Sequence, residues 1–217
     1  MHLKDIYHRD LKSDNVLVHL GRRSSTVVKV ADLGRSRDIR NPPMAIPQAY
    51  WFGRGHLLHA PPECLWGLGS DNSATMFRRF DLYLIGSVLF ELATGSSITS
   101  IVYPNPHEIV NGALATPVGE RPAQYASNAN IVRSQFAPAF TMFEEKLPVA
   151  IRSEGGRLLR QLCDPRPERR EFLGTRSRRP NQPGLNWLLT RLDILIRILE
   201  SQNGASANGR VAAGSAP

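Results

Sequence analysis

Hydrophobic and polar positions change period several times along the chain. Val16-Leu17-Val18 and Val27-Val28-Lys29-Val30-Ala31 are short β-branched runs separated by a polar stretch with Gly21 and Ser24-Ser25, which predicts two strands of a small hairpin. Residues 32–60 mix Gly, Pro, Arg and Ser without a period and read as a long functional loop. Pro61-Pro62 ahead of Glu63-Cys64-Leu65-Trp66 predicts a short helix opened by proline. Residues 80–94 are apolar nearly all round, the mark of a buried central helix, with Gly95 placed to stop it. Prolines interrupt residues 96–150, where helices are expected at 106–114 and 138–146. Residues 151–163 show helical spacing through Leu158, Leu159 and Leu162, weakened by Gly155-Gly156, and 185–200 form an amphipathic helix with Leu188, Leu192, Leu195 and Leu199. The small polar residues 201–217 predict a disordered tail. The expected class is α+β, mainly α-helical, over residues 1–200.

At 217 residues, with 41% hydrophobic and 21% charged positions, the chain suits one globular domain. Its net charge of +8 rests on arginine, since Lys4, Lys12, Lys29 and Lys146 are the only lysines. A uniform arginine bias reflects coding composition more than a ligand, and no aromatic interleaving accompanies it, so no nucleic-acid partner is expected. Cys64 and Cys163 are too few for a disulfide framework and not spaced for zinc. The charged amino terminus is unlike a signal peptide. The longest apolar run, residues 82–92, is too short to span a bilayer, so the expected setting is cytoplasmic, without a membrane segment.

The chemistry concentrates in Tyr7-His8-Arg9-Asp10-Leu11-Lys12-Ser13-Asp14-Asn15. Asp10 can orient or deprotonate an attacking hydroxyl, Lys12 can reach a transferring phosphate, and Asn15 offers an amide oxygen suited to Mg²⁺. Beyond the hairpin comes Asp32-Leu33-Gly34, where Asp32 supplies the anionic metal ligand and Gly34 a sharp turn. A base and two metal ligands joined by a hairpin suit phosphoryl transfer, which needs mainly positioning and charge neutralisation.

These residues resemble the C-terminal lobe of a eukaryotic-type protein kinase. His8-Arg9-Asp10 with Lys12 and Asn15 is similar to the family's catalytic loop, and Asp32-Leu33-Gly34 to its metal-binding triplet. Pro61-Pro62-Glu63 resembles the end of the activation segment, and Asp81 with Gly86 the start of the central helix, where the Asp braces the catalytic loop. Arg169 is similar to the arginine that pairs with Glu63, with Arg166 or Arg170 as alternatives. The resemblance implies transfer of the ATP γ-phosphate to Ser/Thr hydroxyls of a protein substrate. Asp10 would be the base, Lys12 the phosphate stabiliser (the choice seen in Ser/Thr kinases), and Asn15 and Asp32 the Mg²⁺ ligands. Leu17 would lie under adenine, and His8 and Leu33 would join the internal hydrophobic spine. Arg9 would line a pocket for a phosphate on the activation segment, with Ser36 or Tyr50 as its bearer.

Nothing in the chain resembles the family's N-terminal lobe: no Gly-rich loop over the phosphates, no lysine gripping them, no helix glutamate to pair with it. That lobe is expected from a longer reading frame or in trans from a separate chain, and the chain alone is expected to bind Mg·ATP weakly. Loss of the helix before the catalytic loop is expected to expose Leu84 and Val88. Gly55 keeps its place in the activation segment, whereas His56 and His59 stand where a threonine and a tyrosine are common. A pseudoenzyme used for docking, or an inactive gene fragment, is the alternative reading.

Overall fold

The computed structural model describes residues 1–20, 26–41, 56–68, 74–171 and 185–213, with side chains in the last segment as far as Gln202. The strands are β1 (Ile6–Tyr7), β2 (Val16–Leu20), β3 (Thr26–Val30) and β4 (Arg37–Asp38). The helices are α1 (Pro62–Leu65), α2 (Ala74–Thr94), α3 (Ile98–Val102), α4 (Pro106–Ala115), α5 (Arg121–Lys146), α6 (Val149–Leu162) and α7 (Asn186–Ala213). β1 pairs antiparallel with β4 and β2 with β3. The fold is the mainly helical α+β class expected.

The hairpin β2–β3 pairs Val16 with Val30, Val18 with Val28 and Leu20 with Thr26, and such β-branched cross-strand pairs stabilise a ladder. Leu17 and Val18, on opposite faces of β2, are 55% and 56% exposed, so neither face of the hairpin is covered. Val27, Val28 and Val30 are exposed as well. On one face Val18, Leu20, Val28 and Val30 lie exposed side by side.

The core gathers around α2, whose Phe80, Leu82, Tyr83, Leu84 and Phe90 pack with α1, α5 and α6. The helix begins at Ala74, ahead of the expected residue 80, and Gly95 at φ 81° ends it in the left-handed region. At Gly86 a Cβ would come within 2.5 Å of Cys163 Sγ and 2.8 Å of Leu162 Cβ, so the glycine sets how closely α2 meets the end of α6. Leu84 is fully buried and Val88 half-buried, against the expectation that both would face solvent. The helices α5 and α6 close over α2, with Tyr83 and Phe136 rings 6.4 Å apart and Phe90 stacked on Phe143 at 6.1 Å.

Three further expectations are corrected. The helix expected at 138–146 is the end of α5, which starts at Arg121 and carries Pro138 inside it. Pro138 lies on the exposed side, where water can serve the carbonyl that loses its partner. The double glycine does not interrupt α6, which runs through it from Val149 to Leu162. A Cβ on Gly155 would lie 2.6 Å from Leu147 Cδ1 and one on Gly156 would collide with Glu144, so these glycines are the point of closest approach to the end of α5. Residues 201–213 of the expected tail continue α7 as helix, and 214–217 lie outside the described residues. Among the described residues no helix is long and apolar enough to cross a membrane.

Candidate active site

The loop between β1 and β2 is pinned by α2. Asp81, almost wholly buried, accepts the backbone N–H groups of His8 and Arg9, each at 2.8 Å, and its Oδ2 lies 2.7 Å from His2 Nε2. Arg9 is held at φ 64°, uncommon for a residue with a side chain. Asp81→Asn keeps one acceptor but turns an amide NH₂ toward one of these buried donors. The expected cost is about 1–3 kcal/mol, the penalty of one unsatisfied buried group, read as a lower midpoint in urea; an unchanged midpoint contradicts the bracing role.

The loop closes on itself through Asn15. Its Nδ2 donates to the Asp10 carbonyl at 2.8 Å, and its own carbonyl accepts the Ala31 N–H at 2.8 Å across the base of the hairpin. His8 Nε2 donates to the Ala31 carbonyl at 3.0 Å while Nδ1 accepts the Asp10 N–H at 3.3 Å, which assigns the Nε2–H tautomer. These bonds bring the backbone around Asp10, Asn15 and Asp32 together. They occupy the amide nitrogen of Asn15 and leave its Oδ1 available as an acceptor.

Asp10 is buried at 7% exposure. Its Oδ1 accepts the His56 N–H at 3.0 Å, and Arg35 Nε lies 3.5 Å from Oδ2. Asp32 sits in the left-handed region (φ 56°, ψ 72°), and its Oδ1 accepts the Gly34 N–H at 3.3 Å. Its carboxylate is exposed and has no ion pair among the described residues. Half-buried Lys12 places its ammonium 3.8 Å from Asp14. Leu17 and Leu33 are both 55% exposed, whereas His8 is buried.

Arg9 lies 4.7 Å over the Phe77 ring. Burial lowers its pKa, with Arg37 and Arg35 pushing the same way and Cys64 and Asp81 opposing, so three cations gather beside the loop between β1 and β2. Ser36, half-buried, sits within the same stretch. Tyr50 and Gly55 lie outside the described residues.

His56 and His59 meet edge to face at 5.6 Å. Burial holds the His59 pKa below the ordinary histidine value; Glu91 and Asp10 oppose the shift, while His56 and Lys12 add to it. Protonation is then harder in the folded chain than in the unfolded one. The unfolded state binds more protons below about pH 6.5, so stability falls as pH drops through that range. His59→Gln is expected to flatten this part of the curve of melting temperature against pH; an identical slope in the variant contradicts it.

Glu63 is paired by Arg170, not by Arg169. Arg170 donates to both Glu63 oxygens at 2.6 and 2.7 Å and to the Asp164 carbonyl at 2.8 Å, with its guanidinium 4.9 Å over the Tyr83 ring. Both partners are buried. Burial works against the Arg170 charge, but the Glu63 carboxylate and its two hydrogen bonds outweigh it and raise the guanidinium pKa. A 3-10 turn over Pro167–Arg169 sets the phase, leaving Arg169 exposed and turning Arg170 inward. Sequence reasoning also missed Arg35 as a neighbour of Asp10, because no motif marks a charge on the turn after Gly34. At position 56, where the family commonly carries a threonine, it is the backbone N–H that reaches Asp10.

With this geometry in place, comparison with known proteins gives the family. The model of the protein kinase domain matches residues 1–172, and the chain belongs to the protein kinase family. Serine/threonine-protein kinase A-Raf of Mus musculus is 34% identical over 101 residues, covering 44% of this chain and 14% of that protein. The RAF proto-oncogene serine/threonine-protein kinase of Xenopus laevis is 32% identical over 100 residues, with coverage of 44% and 14%. Cyclin-dependent kinase 2 of Caenorhabditis elegans is 34% identical over 97 residues, 45% of this chain and 23% of that protein. The matched region thus spans 14% to 23% of the length of these relatives.

Proposed function

We propose that the chain is the catalytic lobe of a serine/threonine protein kinase, transferring the γ-phosphate of Mg·ATP to protein hydroxyls. The observation that carries this reading is the closure of the loop through Asn15, which ties the Asp10 carbonyl on one side and Ala31, next to Asp32, on the other. Asp10 would orient the substrate hydroxyl and take its proton. Lys12 would neutralise charge on the phosphoryl group in transit. Asn15 Oδ1 and the unpaired Asp32 carboxylate are hard oxygen donors of the kind Mg²⁺ takes. One carboxylate and one amide complete a shell only with phosphate oxygens and water, as Mg²⁺ commonly does. The bound Mg·ATP supplies the phosphoryl group and most of the charge neutralisation.

A phosphate-gripping N-terminal lobe, in the same polypeptide or in trans, completes this reading. The uncovered apolar hairpin with Leu17, Val18 and Val28 supports such a contact, and Leu17 would then face adenine. The protein is tested by transfer of labelled γ-phosphate to a generic serine/threonine substrate, with and without a supplied kinase N-lobe, and with Asp10→Asn as the control. Transfer that needs Asp10 supports the assignment. Transfer that survives Asp10→Asn, or its absence even with the added lobe, contradicts it.

A further inference from the structure

A hollow of about 370 Å³ opens between the middle of α5, the end of α6 and the turn that follows, within the range of about 300–1,000 Å³ typical of ligand pockets. It shares no residue with the site around Asp10, Asn15 and Asp32. Arg133, Arg160 and Arg169 line it over a floor of Ala137, Phe140 and Pro165.

The charges in this hollow do not balance. Asp164 also lines it, but its Oδ1 already accepts the Arg166 backbone N–H at 2.9 Å and Arg166 Nε at 3.3 Å. Arg160 is aimed by Glu144, with contacts of 2.8 and 3.2 Å, and lies 5.1 Å over the Phe140 ring. Arg133 and Arg169 are exposed and have no acidic partner among the described residues. The turn forming one wall is fixed from behind: Arg170 Nε holds the Asp164 carbonyl at 2.8 Å and the Tyr125 hydroxyl donates to the Pro165 carbonyl at 2.6 Å. The cations therefore stand on a rigid frame, while two of them lack an anion.

We propose that this hollow binds a phosphomonoester carried on a serine or threonine side chain of a partner protein. A phosphate ester brings a charge of about −1.5 to −2 at pH 7 and three acceptor oxygens, which suit the forked donors of two or three guanidinia. The apolar floor favours an ester on a side chain over a bare ion, because the ion would leave that floor wet. An adjoining hollow shares Arg160 and is lined by Arg152, Arg157 and Glu144, with Arg157 paired to Glu154 at 3.1 Å, so Arg152 is the further cation that α6 offers to the neighbours of the phosphorylated residue. The proposal stands independently of the phosphotransfer reading.

Fluorescence anisotropy of the full chain tests it with three probes: a labelled glycine-alanine peptide bearing one phosphoserine, its unphosphorylated twin, and inorganic phosphate as competitor. The phosphopeptide is expected to bind at least about ten-fold tighter than its twin, the scale of one or two charge-assisted bonds. R133E/R169E is expected to abolish that preference with the thermal melt unchanged, both side chains being exposed. Inorganic phosphate is expected to compete only at concentrations at least about ten-fold higher than the phosphopeptide. Equal binding of the twin, or a preference surviving R133E/R169E, overturns the proposal. Inorganic phosphate matching the phosphopeptide overturns the peptide assignment in favour of a small-anion site. Should the double variant misfold, R133A and R169A separately must each weaken the preference; its retention in both is equally contrary.

Discussion

Arg170→Ala should lower the stability of this chain by about 3–5 kcal/mol, because it leaves the Glu63 carboxylate buried without its cation. Glu63 is 2% exposed and the Arg170 side chain wholly buried, so water cannot take over the charge. Five contacts go at once: two hydrogen bonds to Glu63, one each to the Asp164 and Arg79 carbonyls, and the stacking over Tyr83. For a chain of this size the loss corresponds to a melting temperature about 6–20 °C lower, out of a total stability of about 5–15 kcal/mol. Arg169→Ala is the control and should change stability by less than about 0.5 kcal/mol, as an exposed substitution does. Equal effects at 169 and 170, measured by urea unfolding, would contradict the pairing of Glu63 with Arg170.

On the proposed phosphotransfer reading, and with an N-terminal lobe supplied, Asp10→Asn should reduce transfer by about 10²–10⁴-fold, the usual contribution of a positioned proton acceptor, while the fold persists. The variant keeps an oxygen that can accept the His56 N–H, as Asp10 Oδ1 does at 3.0 Å, and the Asn15 bond goes to the backbone carbonyl of residue 10 rather than to its side chain. What disappears is the basic carboxylate and its charge opposite Arg35. A fall in kcat with a melting temperature within a degree or so of the parent separates the chemical role from a structural one. A large fall in both would make Asp10 a structural acid, like Asp81.

Much of the candidate site was nameable from the sequence because its residues lie in one continuous stretch. Asp10, Lys12 and Asn15 stand within six residues, and Asp32 returns after a hairpin whose alternating β-branched runs declare themselves. The central helix was legible inside but not at its start, since residues 74–79 carry Arg78 and Arg79 and look exposed, although Phe77 is buried. The helix α5 was hidden by its low hydrophobicity and by Pro138. Its buried set of Tyr125, Val132, Phe136, Ala139, Phe140 and Phe143 forms a stripe only when 26 residues are taken together. Leu84 joins the core cluster around α2, which the spacing of its own helix alone does not reveal. The choice among Arg166, Arg169 and Arg170 lay beyond spacing, because a single 3-10 turn decides which one points inward.

The most direct test of the account is whether Asp10, Asn15 and Asp32 converge on one metal–nucleotide pocket. Paramagnetic broadening of backbone amide signals by Mn²⁺ with ADP reads this even at weak affinity. The amides at and beside residues 10, 15 and 32 should broaden together, with the effect lost in Asp32→Ala. Broadening confined to other parts of the chain, or unchanged by Asp32→Ala, would contradict the shared pocket and with it the phosphotransfer assignment.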